Sequence, residues 1–295
     1  MRNLFLILFL FYSPLLAKIK IVTSSWDLKS IAEFVGKDEV DVESLTSGNF
    51  DLHMIEPRPS MVFKLKKADM VVKIGLDFDM WLDSLINAAR NKKLFYGREG
   101  YVDASVGIEI LQKPQHRIDG SMGDIHIFGN PHYWLDPENG KIIAKNIKNA
   151  LLAIKPERKE YFEKNYIEFC NKLDFKINEW KEKMKVLKNR KIITYHNSWV
   201  YFAKAFNLDL VANIEPKPGM PPNANHILYL IELIKKENVN IILVDNFYPL
   251  KAATEIAKKT SAKVIVLPSS VGGEKETADY ISLFDTIIER ILQNR

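Results

Sequence analysis

The chain has 295 residues, 47% of them hydrophobic and 27% charged, with a formal net charge of +5. This is ordinary globular composition, enough for one large or two modest domains. The basic excess is lysine scattered mainly over 155–191 with no compact arginine patch, so it reads as a solvated surface and not as a nucleic-acid footprint.

Residues 1–17 begin with Arg2, run through Leu, Phe and Ile from Leu4 to Leu16, and end at the small residue Ala17. The pattern predicts a cleavable signal peptide, too short for a membrane span of about 20 residues. No cysteine follows the apolar run, so no lipid anchor is expected, and the mature chain is expected in an extracytoplasmic space. The single cysteine, Cys170, cannot form an internal disulfide.

Lys18–Thr23 alternates and predicts a first strand, followed by a helix over Trp26–Val35 and a second strand over Val40–Leu45. Pro59 suits the first turn of a helix through Lys67. A buried strand over Ala68–Gly75, a helix over Trp81–Ala89 and a strand or extended piece over Tyr101–Ile110 follow. Gln112–Asn130 has Pro114 and three glycines but no apolar period, and reads as a loop. Pro137–Leu187 is mostly helical with a break near Lys155-Pro156, and Tyr161, Phe162, Tyr166, Phe169, Leu173, Ile177 and Trp180 recur at helical intervals. A helix of about 30 residues there would be about 45 Å long. The strand–helix rhythm then resumes, with strands at Lys191–Tyr195, Leu208–Ala212, Val239–Val244 and Lys263–Leu267 and a closing helix over Thr277–Gln293.

The predicted fold is therefore α/β: two similar lobes, each with a parallel sheet, joined by one long helix. The expected division is a leader over 1–17, a first lobe over 18–156, the linking helix over 157–187 and a second lobe over 188–295.

The chain holds six histidines, and three of them stand where regular structure breaks: His53 in Asp51-Leu-His-Met-Ile-Glu56-Pro, His132 in Asn130-Pro-His-Tyr-Trp-Leu-Asp136-Pro137, and His196 in Thr194-Tyr-His-Asn-Ser-Trp199. Neutral imidazole is the commonest protein ligand for a borderline metal such as zinc. Pro131 stiffens the turn that presents His132, and His196 ends a buried strand, where ligand sites of open α/β sheets lie. Any one of them reads equally well as a hydrogen-bonded loop histidine. Three in such settings suggest a site in the cleft shared by the halves.

These same strings, with Ala68-Asp-Met-Val-Val-Lys-Ile-Gly-Leu-Asp-Phe-Asp-Met-Trp-Leu, Glu215-Pro-Lys-Pro-Gly and Leu267-Pro-Ser-Ser-Val-Gly-Gly, resemble the signatures of the zinc/manganese receptors of bacterial ABC importers. The resemblance covers nearly the whole mature chain. It implies two α/β lobes joined by a long rigid helix, metal captured in the cleft, and delivery to an ABC importer permease in the inner membrane by a periplasmic monomer. By motif position it carries over His53, His132 and His196 as ligands. The fourth ligand in many members is an Asp two residues before a Tyr. Here Asp279 directly precedes Tyr280, a one-residue offset that turns a helical side chain by about 100°. Asp279 is the expected fourth ligand, with Glu276, Asp245, Glu215 or a water in reserve and helix-start charge as the plain alternative.

Zinc receptors of this family often carry a long His/Asp-rich loop. Here the loop is short, and His116, Asp119, Asp124 and His126 read either as a weak second metal contact or as solvated residues, His126 being the one close to His132. Three imidazoles and a carboxylate favour zinc, while manganese prefers harder oxygen ligands; manganese or iron are the alternatives. Glu56, Asp136, Tyr195 and Asn197 are candidates to orient the ligands.

Three histidines could leave a position open for a catalytic water, as in a zinc hydrolase, but the chain has no His-Glu-x-x-His, Gly-x-Ser-x-Gly or phosphate-binding Gly-Lys-Ser/Thr signature. A clasp for a siderophore or corrinoid would leave the histidine strings without a role. Adhesion stays open as a second role.

Overall fold

The computed structural model describes residues 17–115, 123 and 126–294. Residues 1–16 of the expected leader and the loop residues His116, Asp119 and Asp124 lie outside the described residues. No described helix is long and apolar enough to cross a membrane.

The first half holds β1 (Ile19–Thr23), α1 (Trp26–Gly36), β2 (Val40–Ser44), α2 (Pro59–Lys67), β3 (Met70–Lys73), α3 (Trp81–Ala89) and β4 (Tyr101–Asp103). Its sheet is parallel throughout, in the order β2-β1-β3-β4. The predicted extended piece to Ile110 stops early because the Asp103 carboxylate accepts from both the backbone and the hydroxyl of Ser105, closing a turn.

After α4 (Pro137–Ile154) and α5 (Lys159–Met184), the second half holds β5 (Lys191–Thr194), α6 (Val200–Ala205), β6 (Asp209–Asn213), α7 (Ala224–Glu237), β7 (Ile241–Asp245), α8 (Lys251–Lys258), β8 (Lys263–Leu267) and α9 (Tyr280–Asn294). Its parallel sheet repeats the order, β6-β5-β7-β8. β3 and β7 are buried at every position, as expected of strands covered on both faces.

α5 has 26 residues, about 39 Å at 1.5 Å per residue. It buries Phe162, Asn165, Phe169, Leu173, Ile177 and Trp180 at intervals of three and four. Asn165 escapes an apolar pattern: its amide donates to the Val35 carbonyl at 3.0 Å, tying α5 to the end of α1. Trp180 donates to Asp285 of α9 at 2.8 Å. One apolar cluster runs from Ile21 and Val72 of the first sheet, through Phe169 and Trp180, to Leu243 and Phe284 of the second half. The lobes thus share a core along the long helix.

In each sheet the strand order reverses beside the first strand, at β1/β3 and at β5/β7. The crevice at the carboxyl ends of such strands is where open α/β sheets bind ligands. Both crevices open toward the same cleft.

Candidate metal centre

His53 lies on a 3-10 turn, Leu52–Met54, beyond β2. The Asp51 Oδ1 accepts from the His53 backbone at 2.9 Å and pairs with its ring Nδ1 at 2.8 Å. Its Oδ2 accepts from the Tyr248 hydroxyl of the opposite lobe at 3.3 Å. His132 repeats the device: the Asn130 Oδ1 accepts from its backbone at 3.0 Å and pairs with its Nδ1 at 3.0 Å. Asn130 in turn donates its amide to the Asn197 carbonyl at 2.8 Å, which fixes which end of the amide faces the ring. His196 follows β5, where the Thr194 hydroxyl donates to its carbonyl at 2.6 Å and bends the chain. Its Nδ1 pairs with the buried Glu215 Oε2 at 2.7 Å.

In all three rings Nδ1 is engaged by an oxygen acceptor, so the proton belongs on Nδ1 and the Nε2 lone pair is free for a metal. One ligand nitrogen from each ring lies within 4.8 Å of the others. Burial, reinforced by the neighbouring imidazoles, pushes the His132 pKa well below its ordinary value. Burial also lowers that of His53, against the pull of the Asp51 carboxylate. Neutral imidazoles are the state a metal requires. Phe50, Phe78, Trp134, Phe247 and Tyr248 wall the space, which at about 20 Å³ admits a body the size of one water or ion. Three convergent nitrogen donors in that space fit a borderline divalent ion and leave no room for a siderophore or corrinoid.

The structure brings together His53, His132 and His196 but not Asp279. The closing helix, expected from Thr277, begins at Tyr280. Asp279 is exposed and caps it, its Oδ1 accepting from the backbones of Ile281 and Ser282 at 2.9 and 2.8 Å, while its own N–H donates to the Ser282 hydroxyl at 2.8 Å. Tyr280 is buried, with its hydroxyl donating to the Trp134 carbonyl at 2.6 Å, and this fixes the helix register that leaves Asp279 facing solvent. Of the reserves, Glu276 is exposed. Glu215 orients His196. Asp245 lines the pocket but accepts from Ser198 and Trp199, and burial raises its pKa.

Of the expected orienting groups, Asp136 caps α4 instead, Glu56 is exposed, Tyr195 stacks on Tyr248 at 4.6 Å, and Asn197 acts through Asn130. The groups that hold the rings are Asp51, Asn130 and Glu215. An Asx two residues before each of the first two histidines was the available signal.

His126 lies beside His53. Its Nδ1 pairs with Asp77 Oδ1 at 3.0 Å, and its Nε2 lies 3.3 Å from the Nε2 of His53.

A family model described as the periplasmic zinc-uptake complex component A matches residues 21–294. The high-affinity zinc uptake system protein ZnuA of Bacillus subtilis is 27% identical over 265 residues, covering 89% of this chain and 82% of that protein. The manganese ABC transporter substrate-binding lipoprotein PsaA of Streptococcus anginosus is 25% identical, over 94% of this chain and 89% of that one. The iron-binding protein YfeA of Yersinia pestis is 25% identical, over 93% and 85%. Among solved structures, a zinc-bound deletion mutant of ZnuA superposes with a TM-score of 0.79 at 27% identity, over 94% of this chain and 98% of that one.

Proposed function

The chain belongs to the periplasmic zinc-uptake component family, the metal-binding receptors of ABC importers, and we propose that within it this protein captures zinc and delivers it to a membrane permease. On this reading it works as an extracytoplasmic monomer, exported by the leader over 1–17 and carrying no lipid anchor.

The observation that carries the proposal is the shared arrangement of His53, His132 and His196, each with Nδ1 held by an oxygen and Nε2 turned to a common point. Zinc suits nitrogen donors at 2.0–2.1 Å in four-coordinate geometry, whereas manganese favours oxygen. Relatives named for zinc, manganese and iron match over most of the chain, so the donor set is what favours zinc here.

Competitive calorimetric titration of the metal-free chain with zinc and manganese tests it. One tight zinc site, lost in His132→Ala, is the expected result. Tight manganese with weak zinc would keep the receptor and overturn the metal; no tight binding of either would overturn both.

A further inference from the structure

Resting on the receptor reading, we propose that His126 is the fourth ligand to the captured ion, completing a site of four imidazoles. Two nitrogens each 2.0–2.1 Å from a tetrahedral zinc stand about 3.3–3.4 Å apart. The Nε2 atoms of His126 and His53 are 3.3 Å apart, the length of one edge of that tetrahedron; among the described residues only His53, His132 and His196 hold ligand nitrogens mutually within 4.8 Å, so His126 closes the remaining distance as the ion binds. Both rings have Nδ1 against a carboxylate, Asp51 at 2.8 Å and Asp77 at 3.0 Å, an arrangement that directs Nε2 of each toward the other and suits Nε2 for a metal.

The position of His126 is built. Asp77 clamps the segment twice, through the His126 ring and through the Ile127 N–H, which donates to its Oδ2 at 2.7 Å. This parallels the double grip of Asp51 on His53. Asp77 projects from a turn beyond β3 in which Gly75 has φ +82° and Leu76 φ +57°. A side chain at Gly75 would collide with the Asp103 carboxylate, so the turn is specific to glycine. The buried Asp79 braces it by accepting from the Ile74 and Gly75 N–H groups at 2.7 and 3.1 Å. On the other side the Gly129 N–H donates to the His126 carbonyl at 3.1 Å, folding the chain back toward Asn130 and His132. The rings of His53, His126 and His132 all pack on Phe78, with centroids 4.7, 5.5 and 5.5 Å away.

The carboxylates expected for this role are engaged elsewhere, Asp279 on a helix end and Glu215 on His196. Four neutral nitrogens select an ion of the zinc type over manganese. The negative charge sits one hydrogen bond behind the rings, on Asp51, Asp77 and Glu215, where it raises ligand basicity without offering manganese an oxygen.

X-ray absorption at the zinc edge, on the zinc-loaded chain, counts imidazoles directly. The wild type should give four, and His126→Ala three with one oxygen donor. Zinc affinity should fall in that variant by at least the roughly 10- to 100-fold typical of losing even an outer-sphere partner. Its zinc-over-manganese preference should narrow. Asp77→Ala, which keeps the ring but frees it, should weaken zinc in the same direction. Unchanged metal-free melting of both variants shows that the fold is intact. Tight zinc bound by three imidazoles, with affinity unaltered in His126→Ala, would overturn this proposal and leave the receptor standing. Absence of tight zinc in the wild type would overturn the receptor reading and this proposal with it.

Discussion

Asp51 and Asn130 act on His53 and His132 in the same way: one side-chain oxygen grips both the backbone N–H and the ring Nδ1 of the residue two positions on. A single short-range contact therefore sets tautomer, rotamer and backbone together, leaving little ordering for the metal to impose. Asn130→Ala should lower zinc affinity about 10- to 100-fold, measured by competition with a chelator, while His132 itself remains. Unchanged affinity would show that packing on Phe78 and Trp134 alone holds the ring. His132 also makes the metal-free chain sensitive to acid. Its folded pKa lies well below the unfolded value near 6.5, so the unfolded chain takes up a proton that the folded chain refuses. Stability from this group is complete above that pH and is lost as pH falls through the window below it. Thermal melts of metal-free protein should drop from about pH 8 to about pH 5, and His132→Ala should flatten part of that fall. Equal slopes for both proteins would refute the assignment.

At the level of elements, strand ends and helix starts place the chemistry. β2, β3, β5 and β7 deliver His53, Asp77, His196 and Asp245 from their carboxyl ends, while Asp136 and Asp279 start α4 and α9. Asp279 and Ser282 exchange backbone–side-chain hydrogen bonds in the manner of a capping box. Asp279→Ala should therefore cost about 1 kcal/mol of stability, read by denaturant unfolding, with zinc affinity unmoved. A large loss of zinc affinity would restore Asp279 as a ligand. The strand–helix alternation was legible in sequence because period and turn residues are local signals, and α2, α3 and β8 fall where those signals place them. The role of Asp279 was not legible, since a carboxylate near a tyrosine looks alike whether it faces a cleft or caps a helix. The burial of Tyr280 decides between them.

Across the whole molecule, several hydrogen bonds cross the cleft. Trp134 donates to the Ser269 carbonyl at 2.9 Å, Tyr201 to the Asn130 carbonyl at 2.8 Å, and Ser270 to Asp27 at 2.6 Å. With the apolar core shared along α5, these make wide hinge opening costly, because it would break backbone hydrogen bonds of a long helix and expose core together. Metal capture should thus involve a modest adjustment of the lobes. Small-angle scattering should give the same radius of gyration with and without zinc, and a marked contraction on loading would show a hinge that α5 does not permit.

The sequence by itself determined the class of fold, the long helix and the three histidine settings, since each is written in residues adjacent along the chain. The resemblance of those strings to a receptor family carried the expected function with them. Only the tertiary structure decided which oxygen orients which ring and which histidine stands beside His53. Those choices join residues far apart in the chain, His53 to His126 across 73 positions and Asp51 to Tyr248 across 197. Local pattern holds no record of such distances, because the position of a ring nitrogen to within an ångström is set by the packing of both lobes at once.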